Sequence, residues 1–277
     1  MVTDFYMDEI IRTAIKEDIN YIDTTADLVI PQAQRGNAYF VAKASGILCG
    51  IDAAMKVFEM LDRSFACKLY FHDGDKINEG DVICEFTGNM RAMLKGERTA
   101  LNLIQHMSGI ATETARCVEI VKGTNASITD TRKTLPGLRA LQKYAVTVGG
   151  GKNHRYNLSD GAMLKDNHID ACGGITGAVE TLRAKLGHMV KVEVETRNLD
   201  EVKEALAAGA DIIMLDNMDC ATMKEAVEIV GGKALLEASG GITHDTLREV
   251  AETGVDIISI GALTHSVKAF DISMKIS

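Results

Sequence analysis

Hydrophobic and polar positions follow different periods in the two halves of this 277-residue chain. In the first part, apolar residues three and four positions apart predict amphipathic helices over residues 3–16 and 51–61. Runs rich in β-branched and aromatic residues, bounded by glycine-containing turns, predict strands over residues 37–43, 68–72 and 82–87. The first ~95 residues are therefore expected to form a small α+β module with an antiparallel sheet.

A long helical pattern covers residues 97–122, and from residue 127 strand and helix patterns alternate. The last four predicted strands start about 21 to 23 residues apart, the spacing of a (β/α) barrel. Because six strands are clear where a closed barrel needs eight, we expect an incomplete barrel. The six strands are predicted over residues 127–130, 162–165, 190–195, 211–215, 234–237 and 256–260.

Polar residues and glycines collect where these strands meet the loops that follow them. In a parallel barrel the carboxyl ends of the strands converge on one face, which carries the active site. Glu195 and Asp216 end neighbouring strands, whereas Glu193 is expected to face away from the site. Ser239-Gly240-Gly241 and Ile260-Gly261-Ala262 follow the last two strands, which favours a phosphate site built from backbone N–H groups.

The two strand-end carboxylates, Glu195 and Asp216, have two interpretations. They pair structurally with Lys165, or they bind substrate hydroxyls and a divalent ion, for which Mg²⁺ suits carboxylates accompanied by substrate phosphates. Lys165 also fits a Schiff-base nucleophile, the aldolase pattern. The two carboxylates favour the charged ammonium of Lys165, whereas this chemistry needs the neutral amine. A Schiff-base lyase is therefore the alternative function rather than the preferred one.

The charge of the chain is acidic overall but basic in one stretch. The formal net charge is -9, yet residues 130–168 hold seven Lys or Arg against three Asp, with two histidines in addition. Such a cluster favours a small polyanion, a phosphate or carboxylate compound, over nucleic acid, which needs a broad basic face. A solvated surface is the other interpretation, but Pro136-Gly137 and Gly149-Gly150-Gly151 beside the charges are typical of ligand-binding loops. Arg98, in the first turn of the predicted helix 97–122, is disfavoured there by the helix dipole and is expected to bind an anion.

Composition narrows the class of protein. No apolar run approaches the ~18 residues of a membrane span, and acids among the first 18 residues argue against a signal peptide. The six cysteines form no C-x-x-C pair, so we expect buried thiols in a reducing cytoplasm rather than disulfides or a zinc site. A cytoplasmic protein without membrane or nucleic-acid partners is predicted.

At the basic stretch the chain resembles a known family. The string DTRKTLPGLRALQKYAVTVGGGKNHRYNLSDGAMLKDNHI is similar to quinolinate phosphoribosyltransferase, also called carboxylating nicotinate-nucleotide pyrophosphorylase. So are ERTALNLIQHMSGIAT, VEVET, IIMLDN, EASGGIT and ISIGALTHS, and the resemblance covers nearly the whole chain. Molybdenum-utilisation homologues fit less well, because Lys165-Asp166-Asn167-His168 is typical of the quinolinate enzymes. One departure is Tyr21-Ile22-Asp23-Thr24-Thr25, which lacks the glycine of the family's Gly-Asp-x-Thr pattern.

The resemblance implies a fold and a reaction. The fold is an N-terminal α/β sandwich domain, residues 1–105 joined by the tail 266–277, plus an open α/β-barrel catalytic domain, residues 106–265. The reaction transfers phosphoribose from phosphoribosyl pyrophosphate to the ring nitrogen of quinolinate, giving nicotinate mononucleotide, pyrophosphate and CO2 in de novo NAD biosynthesis. A homodimer or homohexamer is also implied, with Arg98 reaching into the neighbouring subunit's site.

The resemblance also implies roles for individual residues. Lys165, Glu195 and Asp216 are the implied catalytic residues, and the two carboxylates are expected to hold ribose hydroxyls or Mg²⁺. The group expected around the substrate carboxylates and phosphates is Arg98, Arg132, Lys133, Thr134, His154, Arg155 and Lys165. The group expected to bind the 5′-phosphate is Ser239, Gly240, Gly241, Ile260, Gly261 and Ala262. A non-catalytic phosphate-binding relative is a third interpretation, against which the carboxylates beside a full basic set argue.

Overall fold

The computed structural model describes residues 4–277, which form two compact units. The first unit holds the described residues as far as Ala115, together with Thr134–Gly150 and Leu263–Ser277. The second unit holds Arg116–Lys133 and Gly151–Ala262. The domain boundaries expected from the resemblance stay predictions, and residue 3 of the first predicted helix lies outside the described residues.

Helices and strands alternate through the described part of the chain. The helices are α1 Asp4–Asp18, α2 Ala26–Val29, α3 Ile51–Leu61, α4 Met90–Ile120, α5 Arg139–Val148, α6 Asp166–Cys172, α7 Ile175–Arg183, α8 Leu199–Ala207, α9 Cys220–Val230, α10 His244–Ala251 and α11 Ala262–His265. The strands are β1 Arg35–Ala42, β2 Gly46–Ile47, β3 Ala66–Leu69, β4 Lys76–Ile77, β5 Val82–Asn89, β6 Ser127–Thr129, β7 Ala162–Leu164, β8 Val192–Thr196, β9 Ile212–Asp216, β10 Leu235–Ser239, β11 Ile257–Ser259 and β12 Ile272–Ile276.

The first unit is built on an antiparallel sheet with the strand order β12-β1-β5-β3. Alternate side chains of β1 are buried, and Phe40 packs against Phe58 of α3 and Phe86 of β5 with ring centroids 6.1 and 5.3 Å away. Phe58 also stacks on Phe65 at 5.4 Å. This aromatic core confirms the predicted α+β module, while the C-terminal strand β12 was not predicted.

Two polar or small residues of this unit have structural roles that follow from their contacts. Asp73 Oδ1 accepts hydrogen bonds from the backbone N–H groups of Gly50 and Ile51, at 2.8 and 3.0 Å, and so caps the start of α3. Gly109 lies in α4 against the carbonyl oxygen of Lys268, which leaves no room for a Cβ atom. The long helix therefore needs glycine at this position for close packing.

Helix α4 begins at Met90, directly after β5, and not near residue 97 as its periodicity indicated. Arg98 thus lies in the third turn rather than the first. The expectation that the helix dipole disfavours Arg98 is wrong, because the dipole acts within the first turn. The predicted role of Arg98 in binding anions rests on the resemblance alone.

The second unit is a six-stranded parallel sheet with the order β6-β11-β10-β9-β8-β7. Helices follow its strands, and the register places the buried residues Val194, Ile213 and Ala238 on one face of the sheet. Strands β6 and β7 are the two edges of the sheet and do not pair with each other. The incomplete barrel is confirmed.

The cysteines partly follow the expectation. None of the six is in a disulfide, and Cys49, Cys84 and Cys117 are buried. Cys67 and Cys172 are exposed, so the expectation of buried thiols is wrong for these two: Cys67 lies on the edge strand β3 and Cys172 at the last residue of α6. Within residues 4–277, no helix is both long and apolar enough to cross a bilayer.

Candidate active site

The inner face of the parallel sheet is defined by its register. In-register partners on neighbouring parallel strands point to the same side, and residues two apart on one strand do so as well. Glu195 pairs with Met214, and Asp216 pairs with Ser239, which pairs with Ser259. Glu195, Asp216 and Ser239 therefore project from one face near the carboxyl ends of β8, β9 and β10, as the strand-end argument predicts.

Lys165 directly follows β7, the edge strand beside β8, and forms an ion pair with Glu195. The Nζ atom lies 2.7 Å from Glu195 Oε2. The Lys165 side chain is 46% exposed and the Glu195 side chain 14% exposed, so the pair opens to solvent on the lysine side. The backbone N–H of Lys165 donates to His168 Nδ1 at 3.1 Å, which holds the start of α6 in place. The structure thus brings two of the three predicted catalytic side chains into contact.

Asp216 and the glycine turn after β10 are connected through Asn217. The Asn217 Nδ2 atom donates to Asp216 Oδ2 at 2.9 Å, and its backbone N–H donates to the Ser239 carbonyl at 2.9 Å. Asn217 has a positive φ of 53°, which asparagine tolerates better than most residues. Gly240 has a φ of 97°, and the Asn217 side chain occupies the place of a Cβ. Only glycine fits there, and Asn217, which was not among the predicted site residues, shapes the turn.

The predicted cationic group is concentrated after β6 and before β7. Arg132 and Lys133 are exposed, and Arg155 is half-buried. Arg155 donates from Nη1 to the Gly161 carbonyl at 2.9 Å and from Nη2 to Met163 Sδ at 3.6 Å. Burial and the nearby charge of Arg132 lower the pKa of Arg155. Two cations therefore stand close enough to repel each other, which is the arrangement that an anion relieves.

Four further predicted site residues come from other segments of the chain. Thr134 and Arg98 belong to the first unit, where Thr134 Oγ1 accepts a hydrogen bond from Arg139 Nε at 2.9 Å. Gly261 and Ala262 follow β11, next to β10. Their predicted roles in binding substrate stay predictions.

His154 lies against two buried carboxylates that were not predicted as site residues. His154 Nε2 is 3.1 Å from Glu193 Oε2 and 3.7 Å from Glu237 Oε1. The side chains of Glu193 and Glu237 are 5% and 1% exposed. The expectation that Glu193 faces away from Glu195 is wrong, because residues two apart on a strand share a face. The same spacing, counted back from Glu195 and from Ser239, could have identified both glutamates.

Glu237 has the most perturbed carboxyl group of this cluster. Burial, and then the charge of Glu193, raise the pKa of Glu237 from 4.5 to about 7, against the opposing effect of His154. Near neutral pH this carboxyl group is therefore protonated in part of the molecules. Protonation of Glu237 removes one of the two buried negative charges, which lowers the cost of burying both side chains.

The residues expected to hold Mg²⁺ fit a site in which the protein supplies only some of the ligands and the substrate and water supply the others. Among residues 4–277, the groups of three His, Cys, Asp or Glu side chains close enough to hold an ion do not include Glu195 or Asp216. Mg²⁺ commonly takes one or two carboxylates and completes its coordination with water and substrate phosphates. Two half-buried carboxylates on neighbouring strands match that donor set.

Comparison with known sequence families decides the classification. The model described as "Quinolinate phosphoribosyl transferase, N-terminal domain" matches residues 23–108, and the corresponding C-terminal domain matches residues 110–275. The chain belongs to the quinolinate phosphoribosyltransferase family. The family resemblance of the motifs is thereby confirmed.

Individual members of the family are similar over almost their full lengths. A probable nicotinate-nucleotide pyrophosphorylase [carboxylating] of Bacillus subtilis (strain 168) is 46% identical over 94% of this chain and 90% of its own length. A probable nicotinate-nucleotide pyrophosphorylase [carboxylating] of Methanocaldococcus jannaschii is 42% identical, covering 100% and 99%. Among solved structures, NadC from Streptococcus pyogenes has a TM-score of 0.97 at 40% identity, covering 100% of this chain and 98% of that one. The nicotinate-nucleotide pyrophosphorylase from Francisella tularensis has a TM-score of 0.95 at 42% identity, with the same coverage.

Proposed function

We propose that this chain transfers phosphoribose from phosphoribosyl pyrophosphate to quinolinate and releases pyrophosphate and CO2, forming nicotinate mononucleotide in de novo NAD biosynthesis. The observation that carries the proposal is the row of charged groups on the inner face of the sheet. Lys165 and Glu195 are in contact at 2.7 Å, and Asp216 stands on the next strand. The names of the curated relatives support the same reaction.

Quinolinate is a dianion, and the paired cations Arg132 and Arg155 suit it. Each guanidinium can bind a carboxylate through two parallel N–H donors. Burial and, after it, repulsion from Arg132 lower the pKa of Arg155, and an anion between the two arginines offsets that repulsion. A monocarboxylate such as nicotinate offers this cationic pair one negative charge instead of two, so selection of quinolinate follows from charge.

The transfer step builds positive charge on the ribose carbon as the bond to pyrophosphate breaks. The carboxylates of Glu195 and Asp216 stabilise that charge and accept hydrogen bonds from ribose hydroxyls, while Lys165 stabilises the leaving oxygen. Glu195 and Asp216 are also the proposed Mg²⁺ ligands; when bound, the ion supplies neutralisation of pyrophosphate charge. After transfer the ring nitrogen is cationic and stabilises the electron pair that the C2–carboxylate bond leaves on C2 as CO2 departs. C2 then takes a proton.

The phosphate of the sugar is assigned to the glycine turns. The backbone after Ser239 turns through Gly240 and Gly241 with φ values of 97° and 62°, and exposes N–H groups at the end of the strand. The turn after β11, residues 260–262, is beside it in the sheet. Backbone donors on two neighbouring strands favour a phosphate group over a carboxylate-sized ligand.

The assembly belongs to the same proposal. We infer a homodimer or homohexamer in which Arg98 completes a neighbouring subunit's site, on the strength of the family resemblance. Mixing an Arg98→Ala variant with a Lys165→Ala variant tests this: hybrid oligomers should regain part of the activity if the two residues serve one site from different subunits. No regain in verified hybrids would contradict the shared site. A cytoplasmic location stays the prediction made from the cysteines.

The test of the reaction uses purified protein with phosphoribosyl pyrophosphate, Mg²⁺ and either quinolinate or nicotinate, with pyrophosphate and nicotinate mononucleotide quantified. Turnover of quinolinate, with far slower turnover of nicotinate, is expected. Removal of Mg²⁺ by a chelator should abolish turnover, and added Mg²⁺ should restore it. If quinolinate is not turned over, borohydride trapping of a carbonyl substrate on Lys165 would favour the Schiff-base alternative. Binding of phosphoribosyl pyrophosphate without turnover would favour the non-catalytic one.

A further inference from the structure

The imidazole of His154 makes two contacts within the chain, and its predicted role in binding substrate directly stays a prediction. Its Nδ1 atom accepts the backbone N–H of Arg155 at 2.8 Å. Its Nε2 atom points at Glu193 Oε2, 3.1 Å away. Both nitrogens are therefore used within the chain.

These two contacts define the tautomer. A nitrogen that accepts a hydrogen bond carries no hydrogen, so the hydrogen of the neutral imidazole is on Nε2. The acceptors on that side are carboxylates, and Glu193 at 3.1 Å is nearer than Glu237 at 3.7 Å. The buried acids therefore favour the one tautomer whose Nδ1 can hold the Arg155 backbone.

The backbone at His154 and Arg155 has no regular secondary structure and depends on side chains for its position. The His154 N–H donates to Asp130 Oδ1 at 2.9 Å. Two residues earlier, Lys152 forms an isolated bridge to Thr129 at the end of β6. Together with the Nδ1 contact, these bonds tie the segment to the sheet just before the Arg155 side chain turns toward Gly161.

We propose that Glu193 and Glu237 are positioning residues that hold His154 in the Nε2–H tautomer and thereby fix Arg155 for a substrate carboxylate. This inference rests on the proposed function for the identity of the anion, though not for the tautomer. Glu193 on β8 accepts the Nε2 hydrogen. Glu237 on β10 lies 3.7 Å from the same nitrogen. Neither carboxylate touches substrate; they act through His154 on Arg155.

The geometry separates this role from that of a proton donor to C2. A proton on Glu237 can reach only the Nε2 side of His154, which faces the two buried carboxylates. The opposite nitrogen faces a backbone N–H. Both ring nitrogens of His154 contact groups of the chain, so the cluster orients Arg155 rather than supplying the proton.

The first test compares Glu193→Ala with Glu193→Gln in steady-state kinetics. Alanine removes the acceptor, whereas the glutamine carbonyl can still accept the Nε2 hydrogen. Misplacing Arg155 should raise KM for quinolinate roughly 10- to 100-fold in Glu193→Ala, with KM for phosphoribosyl pyrophosphate nearly unchanged. Glu193→Gln should restore most of the quinolinate affinity. Equal increases in both KM values, or no rescue by glutamine, would overturn the proposal.

The second measurement reads the tautomer directly and needs no substrate. Long-range ¹H–¹⁵N correlation spectra of protein with ¹⁵N-labelled histidine should show His154 as the Nε2–H tautomer in the wild type and in Glu193→Gln, assigned by comparison with His154→Asn. An Nδ1–H tautomer would overturn the proposal even if quinolinate is the substrate. Lack of turnover in the wild type, with the expected tautomer, would instead count against the proposed function. If Glu193→Ala does not fold, the tautomer of His154 in the wild type and in Glu193→Gln still tests the proposal.

One competing arrangement uses the same atoms. His154, Glu193 and Glu237 place their ligand atoms within 4.8 Å of one another, close enough to hold a metal ion. Metal analysis of dialysed wild-type and Glu193→Gln protein distinguishes the two. A stoichiometric divalent ion in the wild type that is lost in Glu193→Gln would overturn the positioning role, because the carboxylates would then be ligands. Its absence in both is the expected result.

Discussion

Replacing Glu237 by glutamine is expected to make the protein more stable at alkaline pH and no more stable at acidic pH. Glutamine has the shape of the protonated carboxyl group and cannot ionise. In the native protein, burial and the charge of Glu193 raise the pKa of Glu237 from 4.5 to about 7. The folded state therefore binds a proton more tightly than the unfolded state does. The stabilisation from this proton is complete below pH 4.5 and is lost as the pH rises through about 7.

The size of the effect follows from the two pKa values. At ~1.4 kcal/mol per pH unit, the interval between 4.5 and about 7 corresponds to ~3 kcal/mol of unfolding free energy. At pH 8 the Glu237→Gln variant should be more stable than the wild type by about that amount, which corresponds to roughly 5 °C in Tm for a chain of this size. Near pH 5 the two proteins should melt within about 1 °C of each other.

The assay is thermal unfolding followed by circular dichroism at constant ionic strength from pH 5 to pH 8.5. Glu225→Gln is the matched control: Glu225 is an exposed glutamate on α9 in the same unit, and its replacement should leave the pH dependence unchanged. Parallel curves for wild type and Glu237→Gln across the range would refute the argument, since they would mean that the Glu237 carboxyl ionises alike in the folded and unfolded chain.

Three further changes test other parts of the structure. Lys165→Met should lower kcat roughly 10²- to 10³-fold. It should change the unfolding free energy by less than ~1 kcal/mol, because the lysine side of its ion pair is open to solvent. Steady-state kinetics and denaturant unfolding of the same preparation measure the two effects. Gly240→Ala should raise KM for phosphoribosyl pyrophosphate roughly tenfold, since the new Cβ collides with Asn217 and distorts the turn. Gly123→Ala, also at positive φ but in open space, is its control and should leave that KM unchanged. Phe58→Ala should cost ~3–5 kcal/mol by emptying the aromatic core of the first unit, measured by denaturant unfolding; a loss below 1 kcal/mol would contradict the packing argument.

Much of the architecture could be predicted from local pattern. The helix over residues 51–61 was predicted with its observed bounds, and every end of the six parallel strands lies within two residues of its predicted position. Hydrophobic periodicity predicts these elements because each helix or strand buries one side, and the spacing of its apolar residues shows which side that is. The strand β12 escaped prediction, because its register with β1, across more than 230 residues of chain, is not a local property.

The candidate site divides in the same way. The sequence by itself determined which chemistry is present: cations between residues 130 and 168, carboxylates at strand ends and glycine turns after the last strands. These groups can be recognised from the sequence because the charge of a side chain and the backbone freedom of a glycine are properties of a single residue. Only the tertiary structure decided their partners. It placed Lys165 on Glu195 and brought Glu193 and Glu237 from separate strands onto His154, because strand order and register, set by packing of the whole sheet, determine which side chains meet.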